Sequence, residues 1–149
     1  MTPRRVQRAD LAAIATLWRE LIDHHAENLP LGAGTVPTTQ LDALVRGVDC
    51  VGWIAEDTAR AVGFCVARVE AAPPSLREPR RALITELYVR PGERRRGVGR
   101  ALLGAALEWA RARGAARVEV RVAARNAEGQ AFWRAQGFGD FVDVLDRRL

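Results

Sequence analysis

The stretch that decides the fold is Leu87-Tyr88-Val89-Arg90-Pro91-Gly92-Glu93-Arg94-Arg95-Arg96-Gly97-Val98-Gly99-Arg100-Ala101-Leu102. Apolar and β-branched residues lead into it from Ala82, and a polar connection covers Pro91 to Arg96. From Val98 the apolar residues recur at helical spacing, so the unit reads as strand, Arg-rich turn, helix. A helix N-terminus carries four unpaired backbone N–H groups and a partial positive charge. Glycines at 97 and 99 let that backbone come close to a ligand, and arginines on both sides add charge-assisted hydrogen bonds. The combination suits a phosphate or a pyrophosphate.

Several patterns compete for this loop. A Walker loop requires Gly-Lys-Ser/Thr, and the chain contains no lysine. A dinucleotide fingerprint would start directly after the strand and would carry a third Gly or Ala where Leu102 stands. What remains is Arg-x-x-Gly-x-Gly, formed by Arg94, Gly97 and Gly99, or a charged loop whose glycines serve only helix packing.

Outward from this unit the chain alternates strands and helices. Arg4 to Arg8 reads as a first strand. Asp10 is placed to cap a helix that runs to about His25 through Leu11, Ile14, Leu17, Leu21 and Ile22. Asn28 to Pro37 reads as a loop, followed by a short helix from Thr38 or Thr39 to near Gly47. Val51–Glu56 and Ala61–Val69 predict an antiparallel pair around the turn Asp57-Thr58-Ala59-Arg60. A loop from Ala72 leads to the Ala82–Val89 strand. The long helix, apolar on most sides, ends at Gly114. Val118, Val120 and Val122 alternate with charged residues as a strand with one face in the core. Asn126 opens a helix closed by Gly137. Phe141, Val142, Val144 and Leu145 suggest a last strand, giving the order β-α-α-β-β-β-α-β-α-β.

The 149 residues, 48% of them apolar, suit one domain, 1–149, with one core. No apolar run approaches the ~20 residues that span a bilayer, and no secretory leader is evident, so the expectation is a cytoplasmic protein without a membrane partner. Cys50 and Cys65 lack metal-ligand spacing and read as reduced, buried small hydrophobes, with no metal expected. The net charge of +5 comes entirely from arginine. A nucleic-acid partner is not expected, because aromatic residues do not interleave with the basic run.

Three segments together resemble the GNAT N-acetyltransferase superfamily. Arg94-x-x-Gly97-x-Gly99 is similar to its pyrophosphate loop, and Leu87-x-Val89-x-Pro91 to its fourth strand and exit. Asn126 with Ala131-Phe132-Trp133-Arg134-Ala135-Gln136-Gly137-Phe138 resembles its Asn…Ala-x-x-Phe-Tyr-x-x-x-Gly-Phe segment. Val62-Gly63-Phe64 is similar to its third strand. The resemblance implies an α/β fold, a mixed and mostly antiparallel central sheet with helices on both faces, split at the cofactor. It implies acetyl-coenzyme A as the acetyl donor and an amine as acceptor.

The resemblance also assigns residues. The amides of Arg95, Arg96, Gly97, Val98, Gly99 and Arg100, with Arg94 opening the motif, would hold the pyrophosphate. The backbone of Leu87, Tyr88 and Val89 would pair with the pantetheine arm, while the Leu87 and Val89 side chains also suit the core. Asn126 is either a cofactor contact or a plain helix cap. Trp133 stands where many members have a Tyr that protonates the leaving thiolate; indole cannot do so. It either packs on the cofactor or anchors its helix. The free thiol's pKa near ~8.5 makes the thiolate a tolerable leaving group without that acid.

The amine, with a pKa around ~10.4 if it resembles lysine, must lose a proton before attack. Glu86, a carboxylate within an apolar strand, is the candidate base; otherwise it faces solvent or pairs with an Arg. Tyr88 should share its face and is the candidate substitute acid. His24, His25, Glu27 and Trp18 are candidates for the acceptor pocket, while Trp53 and Trp109 read as core. A small-molecule amine is the expected acceptor, with a protein N-terminus or lysine, or a non-catalytic acetyl-coenzyme A sensor, as alternatives. The last strand leaves an edge that a second copy could cover, as in a homodimer.

Overall fold

The computed structural model describes residues 1–30, 36 and 38–149; much of the loop read at Asn28 to Pro37 lies outside them. The elements are β1 Arg4–Arg5, α1 Leu11–His25, α2 Thr38–Arg46, β2 Cys50–Asp57, β3 Arg60–Ala71, β4 Arg80–Val89, α3 Val98–Ala112, β5 Val118–Val120 and α4 Ala127–Ala135. The strands form one sheet in the order β1-β2-β3-β4-β5. The first four are antiparallel neighbours, and β5 joins β4 in parallel. This is the mixed, mostly antiparallel α/β sheet expected.

β2 and β3 are apolar at nearly every position because both faces of the sheet are covered. Along β3, Phe64 and Val66 turn to one side and pack with Ile14, Leu17, Trp18 and Leu21 of α1 and Leu44 of α2. Cys65 and Ala67 turn to the other, against Val98, Leu102, Leu103 and Ala106 of α3. Period-2 strands and three amphipathic helices therefore build a core on each face of one sheet. Gly63 is needed at the β3–β4 crossing, since a Cβ there would sit 2.8 Å from the Tyr88 carbonyl oxygen.

Two irregularities position the site. The β3–β4 register moves from Val66↔Glu86 to Ala67↔Ile84, leaving Thr85 as an extra residue on β4. This bulge puts Ile84 and Leu87 both toward α3. The second is the brevity of the β4–β5 ladder, which holds only Ala82↔Val118, Leu83↔Glu119 and Ile84↔Val120. Past Ile84, β4 continues to Val89 with β5 no longer beside it.

Local expectations are corrected in places. β1 and β5 are shorter than read, and β5 ends where β4 diverges and removes its ladder partner. Asp10 does not cap α1 with its side chain. Its carboxylate accepts from the Gln7 backbone N–H at 2.8 Å and from Arg4 at 2.7 and 2.9 Å. The last strand does not form: residues 138–149 carry no helix or strand, and Phe141, Val142, Val144 and Leu145 are all exposed. A strand needs a ladder, and three-residue β5 offers little edge to build one on. Asp140 is instead drawn to Arg134 at 2.7 Å, and Phe141 lies under the Arg117 guanidinium at 4.3 Å. Both cysteines are unpaired; Cys65 is buried, but Cys50 is only half-buried. Among the described residues no helix is long and apolar enough to cross a membrane.

Candidate functional site

The β4–α3 connection makes a short turn at Pro91–Glu93 and enters α3 through Arg95 and Gly97, both in the left-handed region at φ 62 and 80. A Cβ on Gly97 would meet nothing within 4 Å, so glycine serves there the backbone angle and an open face. Gly99 differs: a Cβ would come to 3.3 Å from the Phe132 ring of α4, so glycine there allows α3 and α4 to approach. The first protein-bonded amide of α3 is that of Ala101, donating to the Gly97 carbonyl at 2.9 Å. Among the described residues, the six N–H groups from Arg95 to Arg100 have no protein acceptor. They converge on one helix N-terminus, and groups so placed hold anions.

The arginines of this run divide into two sets. Arg90 is structural, bonded to Glu20 of α1 at 2.8 and 3.1 Å and to the Ala61 carbonyl at 2.9 Å. Arg94 ties the end of β4 to α4: its Nε donates to the Val89 carbonyl at 2.9 Å, and its Nη1 lies 3.3 Å from Glu128. Arg96 pairs with Glu93 at 2.6 Å and Asp57 at 3.5 Å. Arg95 and Arg100 are exposed and have no carboxylate partner among the described residues. Their charge is available to an anion at the loop.

Beside the loop runs the unladdered part of β4. The Arg90 N–H donates to Val62 on β3 at 2.9 Å. By the alternation of an antiparallel ladder the Tyr88 backbone therefore also faces β3, while the backbone groups of Leu87 and Val89 face the opening left by β5. This narrows the expected set: Leu87 and Val89 present edges to a guest, and Tyr88 does not. The Leu87 and Val89 side chains pack against the α3 core.

The opening is a small, solvent-connected cleft. Ile84, Thr85 and Leu87 form one wall, and Val120, Arg121, Val122 and Ala123 the other. Asn126 and Trp133 close the α4 end; His25, Asn28 and Leu29 close the α1 end. Asn126 is a helix cap, its Oδ1 accepting from the Gly129 N–H at 3.0 Å, and it lines the cleft as well. Trp133 likewise fills two places, stacked edge-on between Phe132 and Phe138 at 5.1 Å and facing the cleft.

Glu86 and Tyr88 lie on the α1 side of the sheet, as alternation predicts. Tyr88 is buried in the core against α1. Burial, then the neighbouring Glu20 carboxylate, hold its hydroxyl above the ordinary phenol range. The Glu20 carboxylate that influences it is itself bonded to Arg90, and Tyr88 does not line the cleft. Glu86 is next to the bulge but its side chain is outside the cleft lining. Its Oε2 is fully shielded and has no hydrogen-bond partner, and burial raises its pKa above the usual carboxylate range.

Of the proposed acceptor-pocket residues, His25 lines the cleft; burial, then the charge of His24, lowers its pKa. Trp18 does not line it, being buried at 5.6 Å from the Phe64 ring, and Glu27 is exposed away from it. Trp53 and Trp109 are edge-to-face at 5.9 Å against the α3 core, as expected. Sequence reasoning missed Asn28, Thr85 and Arg121. Only the ladder's end at Ile84↔Val120 reveals Thr85 and Arg121, and only the approach of the α1 end to that opening reveals Asn28. Among the described residues no cluster of His, Cys, Asp or Glu could hold a metal ion.

Residues 18–138 match the acetyltransferase (GNAT) family. A search of curated proteins found no match. Among solved structures, a mutant of a Bacillus halodurans protein aligns at 19% identity and TM-score 0.87, over 100% of this chain and 99% of that one. The aminoglycoside N-acetyltransferase AAC(6')-Iy in complex with CoA aligns at 19% identity and TM-score 0.79, over 99% and 98%. The aminoglycoside antibiotic 6'-N-acetyltransferase AAC(6')-IG of Acinetobacter haemolyticus aligns at 17% identity and TM-score 0.78, over 100% and 98%.

Proposed function

The chain belongs to the acetyltransferase (GNAT) family, and from that premise we propose that it moves the acetyl group of acetyl-coenzyme A directly onto the amine of a small molecule. The observation that carries this reading is the row of six unpartnered amides from Arg95 to Arg100, set beside the open edge of β4. The spacing suits a donor with two linked phosphates followed by an amide-bearing arm. The amides and the Arg95 and Arg100 charges hold the pyrophosphate, and the Leu87 and Val89 backbone pairs with the arm. The Val89 N–H is the donor placed for the thioester oxygen as the tetrahedral intermediate forms. The small-molecule acceptor draws support from structural neighbours described as aminoglycoside acetyltransferases, one with a bisubstrate analogue of CoA and acetylneamine.

The amine must arrive or become unprotonated. Glu86 takes that proton through water, its raised pKa bringing it closer to neutrality than an ordinary carboxylate. A second reading is favoured by the cleft lining: His25 faces the opening, and its lowered pKa leaves it uncharged and able to accept the proton directly. Trp133 offers no acid and Tyr88 is buried outside the cleft, so the thiolate leaves without a side-chain acid in this scheme.

The test is thiol release from acetyl-coenzyme A across a panel of amines, with calorimetric titration of the donor alongside. Donor binding with acetylation of small amines is expected. Donor binding without acetylation of any amine would fit a sensor, acetylation confined to peptides would fit a protein-directed enzyme, and no donor binding would end the proposal.

A further inference from the structure

The charges around the α1 end of the cleft are distributed unevenly. Among the described residues lining the cleft, none is a carboxylate, and Arg121 alone is permanently charged. Arg121 follows Val120, the last residue of β5 paired with β4. It therefore stands across the opening from Thr85. It is exposed and, among the described residues, has no acidic partner.

Two carboxylates of the sheet, Glu70 and Glu119, are already committed, and Glu86 lies outside the cleft lining. Arg81 holds Glu70 at 2.8 Å and Glu119 at 3.1 Å, and Arg68 also reaches Glu70 at 3.3 Å. Asp23 and Glu27 of the α1 end are exposed and do not line the cleft. Between Glu27 and Asp42 the sequence carries no ionisable side chain at all. His25 cannot neutralise Arg121, since an imidazole is either uncharged or cationic, and its burial disfavours the cation.

A cleft with these walls repels a polycation and leaves one guanidinium to be matched. We propose that the acceptor is a compact amine that also bears a carboxylate, with the carboxylate on Arg121 and the amine toward the thioester beside Leu87. This deepens the acetyltransferase reading and rests on it. A guanidinium binds a carboxylate through two parallel hydrogen bonds, which fixes the amine's position as well as adding affinity. Strands part from a spacing of ~4.8 Å with a rise of ~3.3 Å per residue, so the two groups of the acceptor lie a few bonds apart.

The experiment compares acceptors differing only in the carboxylate: glycine, β-alanine and 4-aminobutyrate, each against its amide, with spermidine as the polycation. The readout is kcat/KM for each, in the wild type, Arg121→Gln and Arg121→Lys, with the acetyl-coenzyme A Kd measured for all three proteins. At least one free acid is expected to exceed its amide by about tenfold or more, the size of a charge-assisted pair. That ratio should collapse toward one in Arg121→Gln through KM and recover in part in Arg121→Lys, the ratio being compared at saturating donor so that any change in donor Kd cancels. Preference for the amides or spermidine, or an acid-to-amide ratio indifferent to Arg121→Gln, would overturn the substrate class while leaving the transferase reading intact. Donor binding with no turnover of any amine would overturn the transferase reading, and this one with it.

Discussion

Glu86 is the residue whose environment is most at odds with its chemistry. Its carboxyl sits beside a bulge with one oxygen shielded and unpartnered, and burial raises its pKa. As the proposed base it must be ionised, so activity falls as pH drops through that raised value. In Glu86→Gln the amine must lose its proton unaided, and turnover is expected to fall with its pH profile displaced upward; a pH–rate series checks this, and an unchanged profile would shift the role to His25. Stability carries the opposite sign. A folded-state pKa above the unfolded one means that the folded protein binds the proton more tightly, so stability is lost as pH rises from the ordinary glutamate range through the raised value. Glu86→Gln lacks that loss and should melt higher at neutral pH, which a thermal melt reads directly. Asn126 separates two roles in the same way. Its Oδ1 caps α4, so Asn126→Ala should cost about 1 kcal/mol by denaturant titration. Weaker donor binding beyond what that loss explains would add a cofactor contact.

At the scale of elements, two connections show opposite uses of strained backbone. The β4–α3 turn spends left-handed conformations at Arg95 and Gly97 on aligning free amides. The β2–β3 hairpin turns through Thr58 and Ala59 at φ 48 and 63, angles that favour Asn and Gly in a two-residue turn. No ligand-facing amide is gained there. Thr58→Asn with Ala59→Gly is therefore expected to stabilise the protein by about 1 kcal/mol or more, with donor binding unchanged, as measured by urea unfolding and titration. The periodicities of α1, β3 and α3 were readable because each is set by its own side chains facing a core. Phe141 to Leu145 look equally strand-like, but a strand depends on a partner edge, and β5 supplies three residues. The same dependence hid Arg121 and Thr85, which gain their meaning only where β4 and β5 separate.

For the whole molecule, two cores on one sheet hold a rigid frame around a place where the sheet is incomplete. The α3 core fixes the helix whose N-terminus is open, and the α1 core holds Tyr88, Glu20 and Arg90 behind the end of β4. The loop motif in the sequence located the first of these features, and the sheet topology was needed to place the second beside it. In the proposed donor complex the amides from Arg95 to Arg100 grip linked phosphates next to an unladdered strand. Calorimetric titration with coenzyme A and with pantetheine, which keeps the amide-bearing arm but lacks the pyrophosphate, tests it most directly. Several charge-assisted hydrogen bonds, each worth about 1.5–3 kcal/mol, should make coenzyme A bind at least about a hundredfold more tightly. Equal affinity for the two, or no binding of coenzyme A, would contradict it.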